Sequence, residues 1–484
     1  MAVEHREEGL QSPASQRLSE FLRARQQAWQ QGVPEFEQFE RELHEHLMNL
    51  ERECVAEELA RYDVAAERVE VGGGSYQPVL QATETYLSAA GPVRVERHLY
   101  RPAGRNAKSI CPLELRAGII NGYWTPQAAR QGAFVLAHLP ASIAEALFQE
   151  LGAMHPSRST LDRLPRTLSA HWEAHRPDWE AALQTQETVP AAATTLAISV
   201  DGVMAPLKPQ AAEQQERAVK RTAPGKQASG PTGYREVGCG TLTLYDGEGA
   251  RLQTVQYARM PEPKKVTLAE QLQAEAHAIL GARPALRRVY LADGAATNWE
   301  LLAGIERALG GNPTQSGRIV DFYHACEHLK GGCDAIWGES TSDSHAQFAR
   351  LRTLLKEADQ GAERSIRTLR YHRRRTTGAR QKRISAALTY FRHQRGRMQY
   401  AAYQRQHLPI GSGVVEAACK TLVTQRLKGS GMAWTPAGGQ AILTLRSLLQ
   451  SGRWDQAWPL LAADFRSPVV IPEDNTEVPL PLAA

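Results

Sequence analysis

Apolar residues recur along this chain with two different periods, and the points where the period changes divide it into regions. From about 15 to 70 the spacing is helical: Phe36, Phe39, Leu43, Leu47 and Leu50 follow a 3-4-4-3 pattern, one face of an amphipathic helix. That stripe suits a dimerising coiled coil or a helix packed in its own bundle, and only about two heptads are clean where coiled coils sustain more. Gly72-Gly73-Gly74 breaks the pattern, and LSAAGPVRVERHLYR at 87–101 reads as a small hairpin turning at Gly91-Pro92. Helical spacing returns over 126–186. There SIAEALFQELGAMHPSRSTLDRLPRTLSAHW reads either as a helix-turn-helix, with a helix ending near Gly152 and a new start at 157–160, or as plain helix packing. Pro165 is expected to interrupt the second helix.

At Thr194 the period becomes two. TTLAISVDGVMAPLK, then a Lys/Gly/Pro-rich excursion over 220–233, then YREVGCGTLTLYDGEGARLQTVQYARM predict three consecutive antiparallel strands, with Asp246-Gly247-Glu248-Gly249 as the hairpin turn between the last two. An amphipathic helix over 266–280, a fourth strand ending at Asp293, a helix over 299–309 and a fifth strand over 318–321 follow. The order β-β-β-α-β-α-β is that of a ribonuclease-H-like α/β core with a mixed five-stranded sheet. Residues 325–405 read as wholly helical, an all-α insertion before Gly411-Ser412-Gly413, where Ser412 is placed to cap a new helix. The expected organisation begins with a mostly helical region 1–80 and a DNA-binding region 81–190. The catalytic core follows as two segments, 191–324 and 409–465, separated by a basic all-α insertion 325–408, and the chain ends in a disordered, Pro-rich acidic tail 466–484.

Composition narrows the class. With 484 residues, 42% apolar and 23% charged, the chain is long enough for two to four domains of about 100–200 residues. No apolar run approaches the ~18 residues that span a bilayer, so no membrane partner is expected. The N-terminus lacks the basic-then-apolar order of a secretory signal, which predicts a cytoplasmic protein. Six scattered cysteines (54, 111, 239, 326, 333, 419) without a Cys-x-x-Cys pair suit reduced thiols. Net charge is only +5, but residues 350–397 hold fifteen Lys or Arg against three acids. A local excess of twelve is the kind of field that neutralises phosphates by counterion release.

Three acids carry candidate chemistry. Asp201 and Asp293 lie at or just beyond buried strands and Glu416 lies on a helix behind the Gly-Ser-Gly turn. Two strand aspartates and a distant helical glutamate can hold paired Mg²⁺ ions, with Mn²⁺ as substitute, and such pairs stabilise the attacking and leaving oxygens of phosphoryl displacement. Asp-Gly is also a common turn, and Glu416 and Lys420 have the i to i+4 spacing of a surface ion pair. Asp321 and His324, at the start of the helix after the fifth strand, could orient DNA, support a metal carboxylate or cap the helix. Lys420, Arg426, Lys428 and Trp434 suit phosphate contacts and base stacking, although Trp434 suits the core equally. Arg373, Arg374, Arg375, Arg380, Lys382 and Arg383 form the densest part of the basic stretch.

SVDG, YREV, LADGA, DFYHACEHL and LPIGSGVVEAACKTLVTQRLKGSGMAW together resemble bacterial insertion-sequence transposases of the ISKra type, in the DDE group related to Mutator-like elements. The similarity spans most of 90–460. It implies Asp201, Asp293 and Glu416 as the catalytic, metal-holding triad, with Asp321 and His324 as the Asp-x-x-His element of Mutator-like relatives. It also implies a DNA transposase acting on double-stranded DNA, both terminal inverted repeats and target, as a homodimer or higher assembly at the bacterial nucleoid. Relatives often carry a Cys-x-x-Cys segment where Tyr100-Arg101-Pro102-Ala103-Gly104 stands here, so an N-terminal zinc ribbon is not expected. Two other classes stay open: a non-catalytic DNA-binding regulator derived from a transposase, and a structure-selective nuclease that cuts without joining.

Overall fold

The computed structural model describes residues 12–102, 108–208, 233–310 and 316–472. The Lys/Gly/Pro-rich excursion and most of the acidic tail lie outside them. The chain is mixed α/β and divides into two compact units, residues 1–174 with 456–484, and residues 175–455. No described helix is long and apolar enough to cross a membrane.

In the first unit, helices Pro13–Gln31 and Phe36–Ala60 meet through stacked Phe21 and Phe39 rings, 5.6 Å apart. Phe36 and Leu47 of the periodic stripe remain exposed. Strands β1 (Val69–Val71), β2 (Gly74–Ser88) and β3 (Gly91–Pro102) form an antiparallel sheet. The hairpin expected at 87–101 is present, but its first strand starts at Gly74, much earlier than the sequence indicated. Leu59, Tyr86, Val93, Val95 and Leu113 fill the core between this sheet and the helices beside it.

Helices Pro126–His138, Ala141–Leu151 and Arg158–Gln186 follow. Pro165 does not interrupt the last of these; it is buried beside Leu161, Leu164 and Leu168, and that packing outweighs the lost backbone hydrogen bond. The connection over 152–157 is six residues long, longer than the three- or four-residue turn of a compact helix-turn-helix. The start of the tail belongs to the fold: Glu70 and Val470 exchange backbone hydrogen bonds of 2.9 and 3.0 Å, and Ser467 donates to the Leu115 carbonyl. Residues 466–472 are therefore packed in the first unit, which corrects the expectation of a free tail from 466 onward.

The second unit is built on five strands, β4 (Thr195–Pro206), β5 (Tyr234–Tyr245), β6 (Arg251–Arg259), β7 (Arg287–Ala292) and β8 (Ser316–Val320), in the order β6-β5-β4-β7-β8. β4, β5 and β6 are antiparallel neighbours, while β4, β7 and β8 run parallel. Asp246 makes the expected hairpin turn, accepting from the Glu248 and Ala250 amides at 3.0 and 2.8 Å. Helix Val266–Ala282 lies so close to β5 that a Cβ on Gly240 would stand 2.7 Å from Leu272. Cys239, between Gly238 and Gly240, faces the opposite side and shares a core cluster with Val415, Cys419 and Leu422. The sheet is covered on both faces.

Helices Phe322–Trp337, Ser342–Glu357, Gly361–Arg373, Gly378–Gln394 and Tyr400–Arg405 occupy the expected helical insertion. Their apolar residues join the sheet's own core: Leu351, Leu369, Leu388 and Phe391 belong to the same cluster as Ile198, Leu291 and Val320. The insertion is thus packed into the core, and its position relative to the sheet is fixed.

One buried ionic network ties this unit together. Arg453 reaches Glu275 and Glu187 at 2.7 and 2.6 Å, and the Tyr257 hydroxyl, 2.8 Å from Arg453, donates to Glu275. Arg453 and Glu275 are nearly inaccessible, so deleting one partner strands the other charge. Arg453→Ala or Glu275→Ala should each cost about 3–5 kcal/mol in denaturant unfolding, while the apolar pair Arg453→Met with Glu275→Leu should cost much less. Equal losses in all three variants would contradict this.

Candidate active site

The last matched position of the parallel ladder is a row of three residues, Val200 on β4, Ala292 on β7 and Val320 on β8. The next residue along the chain in each case is an aspartate: Asp201 within β4, and Asp293 and Asp321 just past the ends of β7 and β8. Neighbouring strands lie about 4.8 Å apart, so this register places three aspartates in successive positions across the carboxyl ends of the parallel strands. β4 continues to Pro206 paired with β5, whereas its pairing with β7 ends at Val200 and Ala292, immediately before Asp201.

Each aspartate is held differently. Asp201 accepts from the Gly202 amide at 2.7 Å through Oδ1, and its Oδ2 lies 3.8 Å from the Cys419 thiol. Asp293 accepts from the Ala295 amide at 3.0 Å and the Asn298 amide group at 3.1 Å, both through Oδ1. Asn298 in turn accepts from Lys265, which pairs with Glu236 at 2.8 Å, so a chain of polar contacts braces Asp293. Asp321 is fully buried and caps helix Phe322–Trp337 by accepting from the His324 amide. Its other oxygen accepts from the Ser412 amide, so Asp321 is a clasp on the Gly411-Ser412-Gly413 turn.

That clasp delivers Glu416. Helix Gly413–Ala418 starts from the turn and runs on through a π-helical stretch, Cys419–Thr424. Ser412 sits at the cap position but does not cap with its side chain; its hydroxyl donates to Glu416 Oε1 at 2.6 Å. Lys420 forms no ion pair with Glu416, so the surface-pair alternative is not what is found. Burial, with the Asp293 and Glu416 charges adding to it, raises the Asp201 carboxyl above its ordinary value of 3.8. The fold therefore brings Asp293 and Glu416, the latter 215 positions further along the chain, within electrostatic reach of Asp201.

A second set of rings adjoins Asp293. His328 and Tyr390 stack at 3.8 Å, His324 lies 5.2 Å from His328, and a Cβ on Gly294 would collide with the Tyr390 ring. Burial lowers the His328 pKa, with His324 adding to the shift, and burial raises that of Tyr390, helped by Asp293 and Asp321. The enclosed Tyr390 hydroxyl has no hydrogen-bond partner among the described residues. Nothing in the sequence pointed to His328, Tyr390, Lys265 or Cys419, since each acts through a partner remote along the chain, or to Asn298, five residues past Asp293, whose side chain looks like any other polar position of a helix start.

Among the described residues, no three His, Cys, Asp or Glu side chains stand close enough to ligate one ion as they are placed. The chemistry of the donors nevertheless fits a hard divalent cation. In Asp293 and Glu416 one oxygen is engaged, while Asp293 Oδ2 and Glu416 Oε2 have no protein partner among the described residues. Asp201 Oδ2 has only the distant thiol. Glu416 is exposed and tied by one hydroxyl, so it is the carboxylate freest to close the set.

The cationic residues divide. Arg374, Arg375, Arg380, Lys382 and Arg383 lie at the surface, and Arg375 stands 4.1 Å over Tyr371; Arg373 is half-buried. Lys420 and Lys428 are exposed. Arg426 is not on the surface: it is 4% exposed, with its guanidinium 5.3 Å over the Trp434 ring. Trp434 is half-buried, donates to the Leu427 carbonyl and bridges to Leu207, so Arg426 is enclosed against it while part of the Trp434 ring remains accessible. All six cysteines are free thiols. No known family model matches the chain, and no curated protein is similar to it.

A carboxyl whose pKa is raised by folding costs stability once ionised, and that cost is absent below its unfolded value. Asp201→Asn should therefore raise the melting temperature by a few degrees at pH 7 in divalent-free buffer, with the gain shrinking as pH falls toward 3.8. A gain independent of pH would mean that the charge is not strained.

Proposed function

We propose that this protein is a Mg²⁺-dependent DNA transposase of the DDE type with a ribonuclease-H-like catalytic core. The observation that carries the reading is the electrostatic coupling of Asp201, just past the last β4–β7 ladder pair, to both Asp293 and Glu416. The strand order, antiparallel β6-β5-β4 followed by parallel β7 and β8, supports the ribonuclease-H-like assignment.

Asp201, Asp293 and Glu416 would hold the divalent ions, which when bound supply charge neutralisation and Lewis acidity for phosphodiester displacement. The chain's own groups do the rest. Asp201 is set by its strand, and Asp293 is braced by Asn298 and Lys265. Asp321 and Ser412 hold the start of the Glu416 helix while leaving Glu416 free to close. DNA is gripped by the basic helices. Arg380, Lys382 and Arg383 precede Tyr390 on helix Gly378–Gln394 by seven to ten residues, about 10–15 Å along the axis. Because Tyr390 packs on Gly294, a backbone bound across those cations is directed toward Asp293. His324 and His328 line the same approach.

The test is metal-dependent nicking and strand transfer on duplexes carrying the DNA that flanks the gene. Asp201→Ala and Asp293→Ala should each lower cleavage at least about 10²–10³-fold while retaining DNA affinity. Replacing Arg380, Lys382 and Arg383 together by Gln should weaken binding and flatten its salt dependence by about three contacts. Binding without nicking by the unaltered chain would favour a regulator, and nicking without joining of pre-cut ends a nuclease. Metal-dependent cleavage retained in both aspartate variants refutes the triad.

A further inference from the structure

The first unit holds a cleft of about 480 Å³, within the ~300–1,000 Å³ range of ligand sites, between the start of helix Arg158–Gln186 and the turn preceding helix Pro126–His138. Asn121, Tyr123, Thr160, Arg163, Arg166 and Thr167 line it over a floor that includes buried Trp124, and no acidic residue lines it. Asn121 and Gly122 both have left-handed backbones, with φ of 56° and 61°, a conformation uncommon for a residue with a side chain. That turn is tied to the helix by the Thr167 hydroxyl, 3.0 Å from Asn121 Oδ1. Arg163 and Arg166 are exposed, and neither makes an ion pair among the described residues.

We propose that this cleft takes one unpaired nucleotide of bound DNA. Resting on the DNA reading above, the inference adds a site remote in sequence from the acidic triad and independent of metal. Two unpaired guanidinium groups suit the phosphate, and the aromatic face of Tyr123 suits a base, because every base presents a π-face. Asn121, Thr160 and Thr167 supply the amide and hydroxyl groups that hydrogen-bond a base edge. A paired base cannot enter such a pocket, so the site selects DNA that is already unstacked. Arg158, Ser159, Asp162, Arg163 and Arg166 together form the exposed face of the helix start, while Leu161, Leu164 and Leu168 are buried. The duplex flanking the unpaired nucleotide would lie along that face.

The test compares two duplexes of one sequence, fully paired or with a single extra 2-aminopurine, bound by the full chain in divalent-free buffer. The unaltered protein should prefer the bulged duplex about tenfold or more and quench its fluorescence on binding. Tyr123→Ala should erase the preference and the quench, Tyr123→Phe should keep both, and Arg163→Gln with Arg166→Gln should lower affinity for the bulged duplex more than for the paired one. Equal binding of both duplexes overturns the cleft assignment alone, as does a preference surviving both Tyr123→Ala and the double arginine variant. Binding of neither overturns this site and the DNA reading together.

Discussion

The parallel hydrogen-bond register that aligns Val200, Ala292 and Val320 is the constraint on which the candidate site depends. A slip of one residue in a strand moves every side chain to the other face, and would send one of the three aspartates that follow this row into the packed layers. The register is held by residues buried on both faces of β4 over Thr195–Val200 and of β7 over its last four positions, Val289–Ala292. Asp321, the third aspartate, acts differently from the first two. Its carboxylate caps one helix and clasps the turn that begins another, which converts a strand end into an anchor for Glu416.

Gathering like charges is unfavourable, and the surroundings show where the cost is offset. Asp293 accepts a hydrogen bond from Asn298, which in turn accepts from Lys265, and Glu416 keeps to the exposed edge. Asp201 has the least compensation, and its raised pKa marks it as the strained member. Strain of this kind belongs at sites whose ligand relieves it. Stability is supplied elsewhere in the same unit, by a core that the sheet shares with the helical insertion and by the Arg453 network. Because the insertion is packed into that core, its exposed cations keep a fixed relation to the acids.

Much of this organisation was legible in the sequence. The two-residue period located β4, β5 and β6, the Asp-Gly turn at 246 was found where expected, and the mixed five-stranded sheet follows from the element order. That Asp293 and Glu416 approach Asp201 was expected from their order and spacing, at strand ends and behind a Gly-Ser-Gly turn, and the coupling of Asp201 to both agrees with it. Lateral register was not legible, since it depends on pairing between strands distant in sequence. The length of β2 was missed because Gln, Thr and Glu give its solvent-facing pattern little apolar contrast. Pro165 misled because burial among leucines overrode local propensity. Arg426 misled because a cation near an aromatic reads the same whether it faces a ligand or stacks in a core.

The most direct measurement is anomalous diffraction from crystals of the unaltered chain and of Glu416→Gln soaked in Mn²⁺. Manganese within coordination distance of Asp201, Asp293 and Glu416 together, and lost or displaced in the variant, is the expected result. Ions that bind Asp201 and Asp293 with Glu416 still turned away, or no ion at the ends of β4 and β7, would contradict a shared site.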